Sequence, residues 1–215
     1  MTRSATPSSL QGWRLFCLLS LLVLFITAIA LWAQPQWVDA LRSAIRATAR
    51  TSFALFLATF LASSLATLLP STFSRTLLRE RRFLGLAFAF SHAVHAVLII
   101  LYVQYFPEVF WQGRSAAANI PGSIGYVFVI LLALTSSAAA VKRLGARAWK
   151  GLHSVGSWVI AGVFLLSLYK RIPMGSWYPL GFALMFSAVA LKLAAKLAVH
   201  LGRSARLAAE PGRSR

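Results

Sequence analysis

Six apolar runs, each close to twenty residues, divide the chain at positions 15–33, 51–69, 83–103, 124–141, 151–169 and 177–197. A helix needs about 20 apolar residues to cross a hydrocarbon core of about 30 Å. The pattern therefore predicts an all-α fold, an integral membrane bundle of six transmembrane helices. The first run follows Arg3 and Arg14, as a signal peptide would, but its apolar core is longer than the ~7–15 residues usual there. It reads as an uncleaved first span. Pro70 closes the second run, and Trp177 and Tyr178 open the sixth as interface anchors. Between the runs lie a connector at 35–50 with the spacing of an interfacial turn or helix, and a loop at 71–82. A long aromatic connector follows at 104–123, then a basic loop at 142–150. The domain organisation is a polar segment at 1–14, one transmembrane domain at 15–197, and a basic, frayed tail at 198–215.

Composition supports this reading. The 215 residues are 59% hydrophobic and 12% charged, where a soluble domain has about half apolar and about a quarter charged residues. The formal net charge of +18 raises the alternative of nucleic-acid binding. A nucleic-acid binder gathers its cations on a soluble face, whereas here they occupy short stretches between spans. With both termini placed in the cytoplasm, sixteen of the 22 Lys and Arg fall on the inner side and six on the outer, as the positive-inside rule requires. Anionic membrane lipid is then a partner, and Lys192 and Lys196 are expected to snorkel toward head groups. The lone Cys17 excludes an intrachain disulfide, an iron–sulfur site and a multi-cysteine zinc site, and without a C-x-x-C-H motif no haem is attached covalently.

The candidate chemistry lies in RRFLGLAFAFSHAVH, residues 81–95. Ionisable side chains inside a span are costly and mark function. His92 and His95 lie in the third run and His153 in the fifth, while His200 belongs to the tail. Imidazoles on two spans, with arginines at the start of one, suit a non-covalently held haem b. Interhelical hydrogen bonding and a proton relay are the competing uses. Asp39, Glu80, Glu108 and Glu210 all fall outside the runs, so a proton-coupled carrier lacks its usual intramembrane carboxylate. The rival class is a non-redox membrane carrier or assembly protein whose histidines only pack or hydrogen-bond. Arg81, Arg82 and Arg147 are candidates for haem propionates, or for a quinone or flavin head group, against a plain role as topology charge. Ser91, Ser154 and Ser157 are candidates to fix imidazole tautomers. Trp149 and Trp158 are candidates for a haem edge, with a lipid-interface role equally open for Trp149.

Three stretches carry a resemblance to the ferric-reductase-like transmembrane family, and within it to haem-binding membrane subunits of bacterial methionine-sulfoxide reductase systems. They are TARTSFALFLATFLASSLATLLP at 48–70, RRFLGLAFAFSHAVH at 81–95 and LALTSSAAAVKRLGARAWKGLH at 132–153. The resemblance implies a six-helix bundle in the bacterial inner membrane whose third and fifth spans sandwich haem b. It implies ligands at His95 and His153, and electron flow toward the outer face. A quinol or a flavin reductase would donate electrons, and a periplasmic acceptor protein or ferric iron would take them. No Gly-rich dinucleotide fingerprint and no soluble domain are present to oxidise NADPH directly. The chain departs from the family in lacking a second fifth-span histidine, in carrying His92, and in having Trp158 where relatives have tyrosine.

Helix arithmetic bears on the ligand pair. His95 lies thirteen residues past Arg82, ~20 Å along a helix, whereas His153 lies three past Lys150, ~4.5 Å. His92 reduces the mismatch to ~10 Å. His95 with His153, His92 with His153, or one histidine alone are the possible ligand sets for one haem.

Overall fold

In hydrocarbon an unpaired backbone N–H or C=O costs several kcal/mol, so apolar runs of this length become helices. The computed structural model describes residues 11–112, 115–175 and 177–209. The first ten and last six residues, most of the N-terminal segment and the end of the tail, lie outside the described residues. The elements in chain order are α1 (Trp13–Trp32), α2 (Trp37–Leu68), α3 (Thr72–Arg79), α4 (Arg81–Tyr105) and α5 (Pro107–Trp111). A 3₁₀ turn (Ala116–Asn119) leads into α6 (Ile120–Leu134), followed by α7 (Ala138–Leu144), α8 (Ala146–Tyr169), a second 3₁₀ turn (Ile172–Met174) and α9 (Tyr178–Ala209). No strand occurs among the described residues. Six helices, α1, α2, α4, α6, α8 and α9, are long and apolar enough to cross a membrane.

The count of spans agrees with the sequence pattern, but several boundaries move. All but the first two residues of the connector at 35–50 are part of α2, one helix of 32 residues, or ~48 Å. Leu41, Ala44 and Thr48 repeat at helical spacing in it and are buried. The loop at 71–82 contains α3, which Ser71 starts by a capping box with Ser74. The fourth span ends at Leu134, not 141. The Thr135 hydroxyl turns back to the Leu131 carbonyl at 2.6 Å, and Ser137 accepts the Ala140 N–H at 3.1 Å to start α7. The basic loop at 142–150 shrinks to Gly145, whose φ of 77° is open to glycine at little cost. The tail continues α9 as helix to Ala209. Trp177 is half-buried, its ring 5.3 Å from that of Phe53.

α2 is the central helix, packed on α1, α4 and α9, with its most extensive seam against α4. α6 packs on α8 and α4, and α8 on α9. At the end where α1 begins, the Glu80 carboxylate accepts the Gly12 N–H at 2.8 Å and the Arg79 Nε–H at 3.0 Å. At the opposite end the Trp37 and Tyr105 rings meet at 6.4 Å, and Arg42 Nε donates to the Tyr102 hydroxyl at 2.8 Å. The main core joins Val23, Phe53, Phe56, Phe60, Phe88, Ile160 and Met185. Large apolar side chains such as Leu21, Phe25, Val127 and Leu180 face outward and are more than half exposed, as a lipid-facing surface requires.

Where α6 meets α8 the helices approach closely. A Cβ on Gly156 would lie 3.0 Å from Leu132 Cδ2, whereas one on Gly162 would meet nothing within 4 Å. Small residues permit such approach between membrane helices. Gly156→Val should therefore destabilise the protein by about 1–3 kcal/mol through overpacking, and Gly162→Val should not. Thermal unfolding of both variants in the same detergent checks this.

Candidate functional site

The 3.6-residue period places Phe88, His92 and His95 along one side of α4. Their rings form a ladder, with centroids 5.4 Å apart for Phe88 and His92 and 5.5 Å for His92 and His95. Tyr126 of α6 lies against His92 at 4.7 Å, and Phe164 of α8 at 6.3 Å. Beneath the ladder, the buried hydroxyls of Ser52 and Ser91 pair at 2.8 Å across the α2–α4 seam.

The two α4 histidines differ in their partners. His95 Nδ1 lies 2.9 Å from Thr48 Oγ1, and the Thr48 hydroxyl donates to the Ala44 carbonyl at 2.8 Å. His92 Nδ1 is buried without a hydrogen-bond partner, as is the nearby Tyr126 hydroxyl. A buried polar group left unpaired costs about 1–3 kcal/mol.

His153 belongs to a different group. Its Nε2 lies 3.0 Å from Thr135 Oγ1, and the Trp149 ring lies 4.3 Å from its own. Trp149 Nε1 donates to the Thr135 carbonyl at 2.8 Å. The break after α6 thus supplies partners for both rings of α8, and Trp149 is half-buried. Beside this group a cavity of about 570 Å³ opens between α2, α4, α6, α8 and α9. Phe56, Phe88, Val129, Leu132 and Ile160 provide apolar wall, His153 lies on one side, and Arg81, Arg82, Lys150 and Lys192 supply four cations. Among the described residues no acidic one lines it.

Lys192 does not snorkel. It is 9% exposed, its Nζ donates to the Phe60 carbonyl at 2.7 Å, and it lies 4.3 Å from the Phe60 ring centre. Lys196 is exposed and stands 5.1 Å over the Trp158 ring.

The remaining sequence candidates are placed as follows. Arg81 and Arg82 line the cavity, with Arg82 Cζ also 5.4 Å from the Phe83 ring centre. Arg147 is exposed and is not among the lining residues. Trp158 packs edge-on against Phe60 at 5.5 Å and is also outside the lining. Ser154 and Ser157 line the cavity, but Ser157 donates to the His153 carbonyl at 2.7 Å rather than to a ring. Ser91 is engaged with Ser52. The imidazole partners are thus two threonines, Thr48 and Thr135, which the sequence reading did not single out. Lys192 carried a usable signal, a cation within an apolar run.

Depth separates the histidines. Phe164 touches the level of His92 and lies eleven residues beyond His153, ~16 Å along α8. The structure joins His92 to His95 and sets His153 with the cationic cavity. Among the described residues no three His, Cys, Asp or Glu side chains converge as a metal-binding group.

Comparison with known proteins bears on what this arrangement is. The protein-methionine-sulfoxide reductase heme-binding subunit MsrQ of Azospira oryzae is 36% identical over 107 residues, which cover 46% of this chain and 44% of that protein. The chain thus matches less than half the length of this relative. No solved structure gives a significant match. The family described as ferric reductase like transmembrane component matches residues 48–164. That stretch is more than half of the chain and holds Thr48, both α4 histidines, Thr135 and His153. This multi-pass membrane protein therefore belongs to the ferric reductase-like transmembrane family.

Proposed function

We propose that the chain is a haem b-binding subunit that carries electrons across or from the bacterial inner membrane to a periplasmic acceptor. The observation that carries this is the cavity of about 570 Å³, apolar in its body, with an imidazole on its wall and four cations and, among the described residues, no acidic one. A haem needs an apolar slot, a ring nitrogen for the iron and cations for its propionates. The residues present fit that group. The orphaned His92 Nδ1 and the His95 ring with one nitrogen engaged add imidazoles at the next level. The relative's name, a haem-binding subunit of a methionine-sulfoxide reductase, supports the same reading.

When bound, haem b supplies a one-electron Fe(III)/Fe(II) couple in a medium of low dielectric. The protein's part is to hold and orient it. The His92 and His95 rings are stacked, 27° apart in plane. His153, on the cavity wall, would hold the haem iron, and His92 and His95 of α4 are the further candidate ligands. Arg81, Arg82 and Lys192 receive propionates, or the head group of a quinone or flavin bound in their place. Arg147 and Trp158 act at the margin of the site. The phenylalanines of the cavity wall exclude water.

We further place both termini in the cytoplasm, because the basic residues concentrate at that end. A quinol or a flavin reductase donates electrons there, and a sulfoxide reductase-type protein or ferric iron accepts them on the other face. A second reading, a non-redox carrier or assembly protein, draws on the Thr48–His95 and Thr135–His153 hydrogen bonds, since such pairs also join membrane helices.

An optical measurement separates the two. Protein purified in mild detergent should show b-type bands that sharpen on dithionite reduction and a pyridine haemochrome near one haem per chain. A haem-free protein of normal stability would favour the second reading. Arg81→Gln and Lys192→Met should each weaken haem binding roughly ten- to hundredfold, through loss of a charged hydrogen bond worth about 1.5–3 kcal/mol. Haemin titration of the apoprotein measures this.

A further inference from the structure

We propose that Lys192 sets the reduction potential of the haem, as a fixed and uncompensated positive charge on the cavity wall that favours the ferrous state. The inference rests on the haem-binding reading above and deepens it.

Three observations carry it. The first is place. Lys192 lies in α9, beyond the residues 48–164 that match the family, yet its side chain lines the cavity together with Arg81, Arg82 and His153. The second is fixation. A lysine near the end of an apolar helix can reach the head groups along its stem. Lys192 instead crosses to α2, where Nζ donates to the Phe60 carbonyl at 2.7 Å and stands 4.3 Å from the Phe60 ring centre. A carbonyl oxygen and a ring face both favour an ammonium group. Lys196, one turn further on, is held apart over Trp158. The third is the lack of an opposing charge. Asp39 is paired with Arg42 and Glu80 with Arg79, and among the described residues no acidic one lines the cavity. The Phe60 carbonyl is a neutral partner, so the charge of Lys192 stays uncancelled.

The consequence is electrostatic. One electron reduces Fe(III) to Fe(II) and lowers the charge of the haem by one unit. A fixed cation on the wall of its pocket therefore stabilises the reduced form more than the oxidised. A unit charge acting over roughly 10 Å at an effective dielectric of about 20 changes such an equilibrium about tenfold. For one electron, tenfold is about 59 mV. By linkage, removing the charge weakens ferrous haem binding about tenfold more than ferric.

Wild-type protein and the variants Lys192→Arg, Lys192→Gln and Lys192→Met are purified as the full chain in one detergent and saturated with haem. Midpoint potentials are measured by optical redox titration, and thermal unfolding is recorded on the same samples. Lys192→Met and Lys192→Gln should both lower the potential by about 59 mV, a tenfold shift in the ferrous-to-ferric ratio. Lys192→Arg should keep the wild-type value. Glutamine keeps a donor for the Phe60 carbonyl without the charge, so a lysine that only ties α9 to α2 would leave Lys192→Gln at the wild-type potential. That result, or an unchanged potential in both neutral variants, overturns the assignment while leaving haem binding intact. If Lys192→Met does not run as a monodisperse species, Lys192→Gln against Lys192→Arg carries the test. Wild-type protein that takes up no haem overturns both readings.

Discussion

In hydrocarbon a side-chain hydroxyl or ring nitrogen has no water to bond, so it must find a partner within the bundle. The seam between α2 and α4 is where this constraint is most fully met. Ser52 pairs with Ser91, and one helical turn further Thr48 meets His95. Those two polar contacts set the rotation and register of α4 against α2. A slip of one residue would break both. Within the ladder of Phe88, His92 and His95, His95 is committed to α2, while His92 meets Tyr126 of α6 and Phe164 of α8.

The other half of the site depends on a break rather than a seam. α6 stops at Thr135, and the polar Thr135–Ser137 step lets the chain cap α7 and turn at Gly145 into α8. This brings the Thr135 hydroxyl to His153 and its carbonyl to Trp149. It also starts α8 at Ala146, seven residues before His153, so the ring lies ~10 Å into the helix. The cavity opens at this level because α4 and α8 are held apart here, both packing on α6.

Lys192 shows how such a bundle tolerates a cation away from water. The Phe60 carbonyl, already within α2, has a second lone pair to offer, and the Phe60 ring face adds a cation–π contact. With Arg81, Arg82 and Lys150 facing the same space and no acidic residue among them, the cavity is electrostatically unbalanced. An anionic ligand would balance it, which haem propionates can do.

The sequence by itself determined the number of spans, the all-helical class and the charge asymmetry between the two ends. These follow from run length, backbone hydrogen bonding in lipid and the placement of Lys and Arg, all local properties. It also marked the RRFLGLAFAFSHAVH stretch and His153, because imidazole within an apolar run stands out, and the family likeness lay in contiguous motifs. Only the tertiary structure decided the partners. Thr48 and His95 are 47 positions apart, and Lys192 and Phe60 are 132 apart. No periodicity reports a pairing of that separation. Threonine in an apolar helix bonds to its own backbone by default, so neither Thr48 nor Thr135 looked different from Thr51, Thr59 or Thr67. The helix ends at Leu134 and Trp37 were hidden for a related reason. Where a helix stops depends on which side chain takes the last carbonyl, and that is settled by what packs beside it.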